Sequence, residues 1–312
     1  MELLKDIWRP LIVAAGIEEI ARRGSLEGFA LHWLPESGAL AYTADPFGFW
    51  HEGVLHVFFE HFDYRTAHGT IGVHVLDAAM RVVETRIVLR EAWHLSYPAV
   101  FAWEGDLWML PEACGSGTAT LYRAVDFPFR WEPAVRLALD AVPIDATPLR
   151  WQDRWWLFYA PAGTPAERLT HLHAAWADRL EGPWTPHPAN PLVVDPQGAR
   201  PAGLPFVLDG KLVLPIQDCR LSYGSGLRLL TIDTLDESRF SAQSGPLVGP
   251  PSGAGAYGAG CHTLVAAGPV TLVDVKRRIF SFEALSLRPR REWRRWRQGR
   301  VAMRGTMTGD VR

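Results

Sequence analysis

The sequence predicts an all-β fold, a five-bladed β-propeller with four-stranded antiparallel blades and a short N-terminal helix. Two observations carry that expectation. One hairpin pattern recurs along the chain at intervals of 53, 48, 57 and 59 residues, and the stretches between the copies read as further strands with little helix. The 312 residues also include 14 Trp, 14 Phe and 7 Tyr, enough apolar bulk to fill the spaces between blades and too much for a disordered chain.

The copies are Trp50 to Glu60 (WHEGVLHVFFE), Trp103 to Glu112 (WEGDLWMLPE), Trp151 to Ala160 (WQDRWWLFYA), Leu208 to Asp218 (LDGKLVLPIQD) and a weaker Ala267 to Val275 (AGPVTLVDV). Alternating β-branched and aromatic residues flank a turn rich in Gly, Asp and Glu, the pattern of a tight hairpin. Thr118 to Val125, Leu169 to Ala177 and Gly226 to Ile232 read as further strands of their blades. A propeller must close its ring, so Trp8 to Ala14 or Phe29 to Leu34 is expected to complete the last blade near residues 262–287. Gly16 to Gly24 (GIEEIARRG) reads as the helix. Residues 1–287 are thus expected to form one propeller, with 288–312 as a basic tail. The competing architecture, a β-sandwich, rarely carries so regular a repeat.

Cys114, Cys219 and Cys261 are odd in number and never form a C-x-x-C pair, which argues against a disulfide framework or a zinc knuckle. The apolar run from Leu11 to Gly16 is far shorter than a membrane span, and no signal-peptide pattern opens the chain. A cytoplasmic location is therefore expected. The net charge of −2 conceals nine Arg in residues 288–312. There Arg288 to Arg304 (RPRREWRRWRQGRVAMR) interleaves Arg with Trp293 and Trp296, a composition suited to anionic lipid headgroups or to a solvated tail. Peripheral contact with the inner membrane face follows as an expectation, and nucleic acid is not an expected partner. Gly253 to Gly260 (GAGAYGAG) lacks the Lys-Ser/Thr pair of a phosphate loop and reads as a loop entering blade five.

If each innermost strand starts at one mouth of the channel and the second strand returns to it, strand-one starts and strand-two ends share a face. That face collects Asp45, Glu60 with Asp63 and Arg65, His94, Ser96, Tyr97, Glu112, Asp145, Arg200, Gln217 with Asp218, Tyr223 and His262. Carboxylates converging on the axis of an apolar scaffold are costly unless they bind something or perturb one another. Glycosidic cleavage needs such a pair, one protonated and one ionised, about 5 to 10 Å apart. Asp45, Glu112 and Asp145 are the expected catalytic residues. Asp63, Arg65, Tyr97, Arg200, Asp218, Tyr223 and His262 are expected to bind substrate, a carbohydrate or glycolipid.

Some of these residues have a second reading. Asp45 before Pro46 also suits a turn, Arg200 either clamps an anionic group or forms an internal ion pair, and His262 is either a ligand or a core side chain. No cofactor is expected, although carboxylates and His262 around the channel would accommodate calcium. His171 and His173 lack a third ligand at a fitting spacing, so no zinc site is expected.

Several short motifs carry a resemblance. ADPFGF (44–49), FFEHFDYR (58–65), HLSYPAVF (94–101), MLPEA (109–113), DATP (145–148), GPW (182–184), HPANP (187–191), RPAG (200–203), QDC (217–219) with Tyr223-Gly224, and HTL (262–264) together resemble the N-terminal domain of plant glucosamine inositolphosphorylceramide transferase and its bacterial stand-alone relatives. These look like members of the superfamily of five-bladed propellers that includes glycoside hydrolase families 43, 32 and 68. The resemblance covers about residues 7–285.

It implies that Asp45 stands where those hydrolases place a base or nucleophile, and that Asp145 stands where a carboxylate tunes its partner or acts as the acid. It also shows departures: Ser96-Tyr97-Pro98 replaces the Asp expected in blade two, and Glu112 ends a second strand instead of opening an inner one. Sugar transfer in the plant enzyme is attributed to a separate C-terminal glycosyltransferase domain, which the roughly 25 residues after the last blade are not expected to hold. Two functions follow as expectations, a glycoside hydrolase-like or glycosyl-transferring propeller and a non-catalytic carbohydrate-binding propeller that partners a separate glycosyltransferase. A protein-interaction propeller is a third class, disfavoured by the carboxylate-rich mouth.

Overall fold

Four of the repeat hairpins turn on two residues in the left-handed region: Glu52 and Gly53, Glu104 and Gly105, Gln152 and Asp153, Asp209 and Gly210. Positive φ at both positions matches the twist of the flanking strands, so these turns set register as well as direction. The computed structural model describes residues 4–280, and within them the hairpins grow into five sheets arranged as blades.

Blade one is Ala41–His51, Val54–Asp63, His68–Leu76 and Val82–Leu89, and blade two is Ser96–Trp103, Asp106–Glu112, Ala119–Asp126 and Arg130–Leu137. Blade three is Pro143–Trp151, Arg154–Pro161, His171–Ala177 and Thr185–Pro186, with Val193–Val194 also paired to its third strand. Blade four is Phe206–Leu208, Lys211–Asp218, Gly226–Leu235 and Phe240–Ser244. Blade five takes Leu264–Ala267 and Val270–Phe280 from one end of the described chain, then Leu4–Val13 and Leu31–Trp33 from the other. Both segments considered for ring closure are used.

The helix is Ile17–Arg23, ended by Gly24 in the left-handed conformation, with Ile17 and Ile20 buried. One expected strand starts late. Leu169 and Thr170 belong to a helical turn, Glu167–Thr170, and the strand begins at His171. The reason is a capping box: Glu167 Oε2 accepts the Thr164 N–H at 2.6 Å, and the Glu167 N–H donates to Thr164 Oγ1 at 3.3 Å.

The core lies between blades, where aromatic and aliphatic side chains of adjacent sheets interdigitate. Trp108, Leu110, Trp155, Leu157 and Tyr159 fill the space between blades two and three, and Phe58, Val73, Met109 and Trp131 that between one and two. No helix among the described residues is long and apolar enough to cross a membrane. The Arg- and Trp-rich segment 288–312 lies outside the described residues.

Blades four and five approach closely at Gly203, whose φ is +150° and where a Cβ would run into the Leu264 carbonyl oxygen. Gly203→Ala is therefore expected to cost about 3 kcal/mol, read as a shifted urea-unfolding midpoint. A midpoint equal to wild type would show that the two blades can part without loss.

Candidate functional site

The inner strands of blades one, two and three share a backbone device. Asp45, Tyr97 and Asp145 have φ of 49°, 45° and 50°, each within a register slip of its first hairpin, between Ala44 and Phe47, Ser96 and Ala99, and Ile144 and Thr147. Such a bulge bends the strand and re-aims one side chain. Asp tolerates the left-handed region, whereas a bulky Tyr there is strained.

Hydrogen bonds at these positions, with one more between blades four and five, link each blade to the next. The Asp45 N–H donates to Asp274 Oδ2 at 3.0 Å, and Asp45 Oδ2 accepts the Tyr97 N–H at 3.2 Å. The Tyr97 hydroxyl meets Thr147 Oγ1 at 2.9 Å, Gln217 Nε2 donates to Asp145 Oδ2 at 3.2 Å, and the Leu264 N–H donates to the Ala202 carbonyl at 2.7 Å. That set of contacts passes through all five blades.

At this mouth lies a cavity of about 210 Å³ lined chiefly by polar groups, among them Asp45, Glu60, His94, Ser96, Glu112, Arg168, Arg200 and His262, with Trp8, Tyr42 and Tyr223 as aromatic walls. His262 stacks on Trp8 with centroids 3.8 Å apart, and Tyr223 stands edge-on to it at 5.3 Å. Arg168 reaches the cavity from the helical turn that the capping box creates.

Beneath the cavity, Asp274 holds His262. Its carboxylate accepts the His262 and Thr263 N–H groups at 3.0 Å and lies 2.7 Å from His262 Nδ1. Burial opposes charge on both, yet their attraction prevails: Asp274 is held below the usual carboxylate range and His262 is raised above its ordinary value. His262 Nε2 in turn stands 3.6 Å from Asp45 Oδ1.

Asp45 is pushed up to about 6, first by burial and then by the Asp145 and Asp274 charges, with His262 acting in the opposite direction. Thr263 shows the same tendency geometrically. Its Oγ1 is 3.0 Å from Asp45 Oδ1 and 3.1 Å from Asp274 Oδ2. One hydroxyl carries one proton, so both contacts become hydrogen bonds only when a second proton joins the group.

The remaining carboxylates differ in how they are held. Asp145 is gripped by Arg200 through Nε and through Nη2 at 2.9 Å, and also by Gln217. Glu112 accepts the Ser96 hydroxyl at 3.2 Å and the Cys114 N–H at 2.7 Å. Glu60 is only 5% exposed, and its Oε1 is buried without a hydrogen bond from the described residues. Burial first, then the charges of Asp45, Glu112, Asp145 and Asp274, push it well above the ordinary carboxylate value.

Of the sequence-predicted site residues, Asp45, Glu112, Arg200, Tyr223 and His262 line the cavity. Asp145 lies behind Arg200, and Tyr97 is fully buried. Asp63 pairs with Arg65 away from the lining, and Asp218 is buried against Arg220 and Arg228.

A family model described as glucosamine inositolphosphorylceramide transferase 1, N-terminal, matches residues 35–253. The chain belongs to this family. In the glucosamine inositolphosphorylceramide transferase family, the rice (Oryza sativa subsp. indica) protein of that name is 34% identical over 203 residues, 64% of this chain. The chain spans about a quarter of the length of the curated relatives it matches, 27% of the rice protein.

Among solved structures, the catalytic domain of a Coprinopsis cinerea family 62 α-L-arabinofuranosidase aligns with a TM-score of 0.57 at 13% identity, covering 86% of this chain and 97% of that one. A Podospora anserina α-L-arabinofuranosidase in complex with cellotriose aligns with a TM-score of 0.57 at 12% identity, covering 78% and 93%. These likenesses show a shared propeller fold.

The span matched by the transferase family model holds Asp45 through Tyr223, whereas Trp8, His262, Thr263 and Asp274 fall outside it. Asp274 was not among the sequence-stated candidates. The signal was present, since Glu60, Glu112 and Asp218 end the second strand in three of the other copies and Asp274 sits at that point of VTLVDV. The fifth copy is weak, and its second strand runs on to Phe280.

Proposed function

We propose that this propeller cleaves or transfers a glycosyl unit of a carbohydrate or glycolipid held in the cavity, with Asp45 as base and Glu60 as acid. The observation that carries this reading is a pair of buried carboxyl groups in one cavity, placed so that burial and mutual repulsion keep a proton between them. Ionised Asp45 would take the proton of water or of an acceptor hydroxyl as that oxygen bonds to the anomeric carbon. Glu60 would give its proton to the leaving oxygen as the old C–O bond breaks. Tyr223, which is partly exposed, offers a ring for sugar C–H groups. Pockets for drug-sized ligands run to about 300–1,000 Å³, so a cavity of about 210 Å³ suits one sugar residue. Glu112, Arg200 and His262 are assigned to substrate contact, and Asp145 to holding Arg200.

Asp45, His262 and Asp274 each offer a ligand atom within 4.8 Å of the others, the dimensions of a metal site. Calcium takes six to eight oxygen ligands. This group supplies two carboxylates and an imidazole, and Asp274 is already engaged by Asp45, His262 and Thr263. Its donor set suits an internal hydrogen-bonded relay better than calcium.

Recognition without turnover is a second reading, favoured by the capture of Asp145 by Arg200, which takes one carboxylate out of proton transfer. A screen of glycan arrays and activated glycosides, scoring binding and turnover separately, tests both. Turnover is expected to fall as pH drops through about 6, because Asp45 must be ionised, and to fall again where Glu60 loses its proton. Glu60→Gln is expected to lose about 10²-fold or more in kcat with binding retained. Glycan binding with no turnover by the wild type would make this a carbohydrate-recognition propeller.

A further inference from the structure

We propose that His94 is a positioning residue: a neutral imidazole that presents Nε2–H to Glu60 Oε1 and so leaves the proton of Glu60, a residue of the cavity lining, on Oε2. The inference rests on Glu60 being the proton donor.

The ring state follows from its other nitrogen. The Gly69 N–H donates to His94 Nδ1 at 3.0 Å, and the Leu95 N–H donates to the Gly69 carbonyl at 3.2 Å, so one residue of blade one is gripped from both sides by the entry to blade two. A backbone N–H is an obligatory donor, which makes Nδ1 the acceptor and puts the single proton of the neutral ring on Nε2. Protonating Nδ1 would set N–H against N–H. The ring reaches this seat because residue 69 is glycine, where a Cβ would lie 2.6 Å from His94 Cε1 and 2.8 Å from Nδ1. The Phe62 ring stands edge-on to the imidazole at 5.8 Å.

Nε2 lies 3.3 Å from Glu60 Oε1, the enclosed oxygen that no other group among the described residues serves. At that separation the pair stands just short of a hydrogen bond, which a small rotation of either side chain would close. Once that contact closes and Oε1 accepts from His94, an acidic proton has only Oε2 to occupy. The charges around the pair act in concert with this arrangement. Asp45, Glu112, Asp145 and Asp274 surround Glu60 and favour its protonated form. Burial foremost, then His68 and Arg200, hold the imidazole uncharged at about 4, against the pull of Asp145.

The test uses the full chain labelled with ¹⁵N-histidine, with the His94 ring assigned by its loss in His94→Gln. Multiple-bond ¹H–¹⁵N spectra are expected to show the Nε2–H tautomer with no titration from pH 8 down to pH 5. A ring protonated on Nδ1, or one titrating near the ordinary histidine value of about 6.5, would overturn the proposal. A second readout is the infrared carboxyl band of Glu60, identified by its loss in Glu60→Gln. His94→Leu is expected to raise the pH at which this band disappears by about one unit, because a donor to the ionised form is gone, and His94→Gln to restore it with its own side-chain N–H. An unchanged band in His94→Leu would reduce His94 to a partner of Gly69.

Neither readout needs turnover. Failure here therefore leaves the acid role of Glu60 to the glycoside screen, whereas unchanged turnover in Glu60→Gln would remove the donor that His94 is proposed to position.

Discussion

Asp45→Asn is expected to lose about 10³-fold or more in turnover and, above pH 6, to unfold at a higher temperature than the wild type. The first effect follows from removing the base. The second follows from linkage. Burial raises the carboxyl of Asp45 from its ordinary 3.8 to about 6 in the folded chain, so the folded state binds its proton more tightly than the unfolded state does. The stability this confers is fully present below about pH 4 and is lost as pH rises through 6, where a buried charge must be tolerated. Asn carries no charge at any pH, and its side-chain oxygen can still accept from the Tyr97 N–H. Thermal melts of both proteins from pH 4 to 8, beside turnover of any substrate the screen finds, check the pair of effects. A mutant that melted below the wild type at pH 8 would show that the Asp45 charge is compensated within the Asp274 and His262 network.

Arg200→Met is expected to produce the largest loss of stability at this mouth, about 3–5 kcal/mol. The Arg200 and Asp145 side chains are 16% and 2% exposed, and their paired contacts are the main compensation for an otherwise buried carboxylate. Removing the guanidinium leaves Asp145 with Gln217 Nε2 as its remaining side-chain donor. The double change Arg200→Met with Asp145→Asn removes both charges and is expected to recover most of the loss, since neutral replacements for buried ion pairs are often tolerated. Urea unfolding of the single and double variants decides. A single variant within about 1 kcal/mol of wild type would mean that Asp145 takes up a proton at little cost.

The fold was legible because its signals are local and repeated. Glu-Gly and Asp-Gly turns between alternating apolar strands state the hairpin, and the register slips at Asp45, Tyr97 and Asp145 follow the same repeat. What sequence did not disclose depends on burial or on contacts distant in the chain. Glu60 and Glu112 occupy equivalent strand ends, yet only the enclosure of one oxygen sets Glu60 apart. Arg168 reaches the cavity because Thr164 and Glu167 close a capping box inside the connection between the second and third strands of blade three, a pattern concealed by the strand-like residues that follow it. Asp274 lay in the faintest copy, where Gly268-Pro269 replaces the two-residue turn signal of the others.

Blade five has a consequence for biosynthesis. Its strand Leu4–Val13 pairs residue by residue with the far end of the described chain, from Leu4 opposite Phe280 to Val13 opposite Thr271. During synthesis Trp8 leaves the ribosome more than 250 residues ahead of the residues it must meet, His262 and Lys276. At about 5–20 residues per second the nascent chain therefore spends many seconds with the Asp45 side of the cavity translated and its other wall missing. A complete pocket appears only when the ring shuts, so a truncated product of this gene would carry most of the carboxylates without the chamber that tunes them.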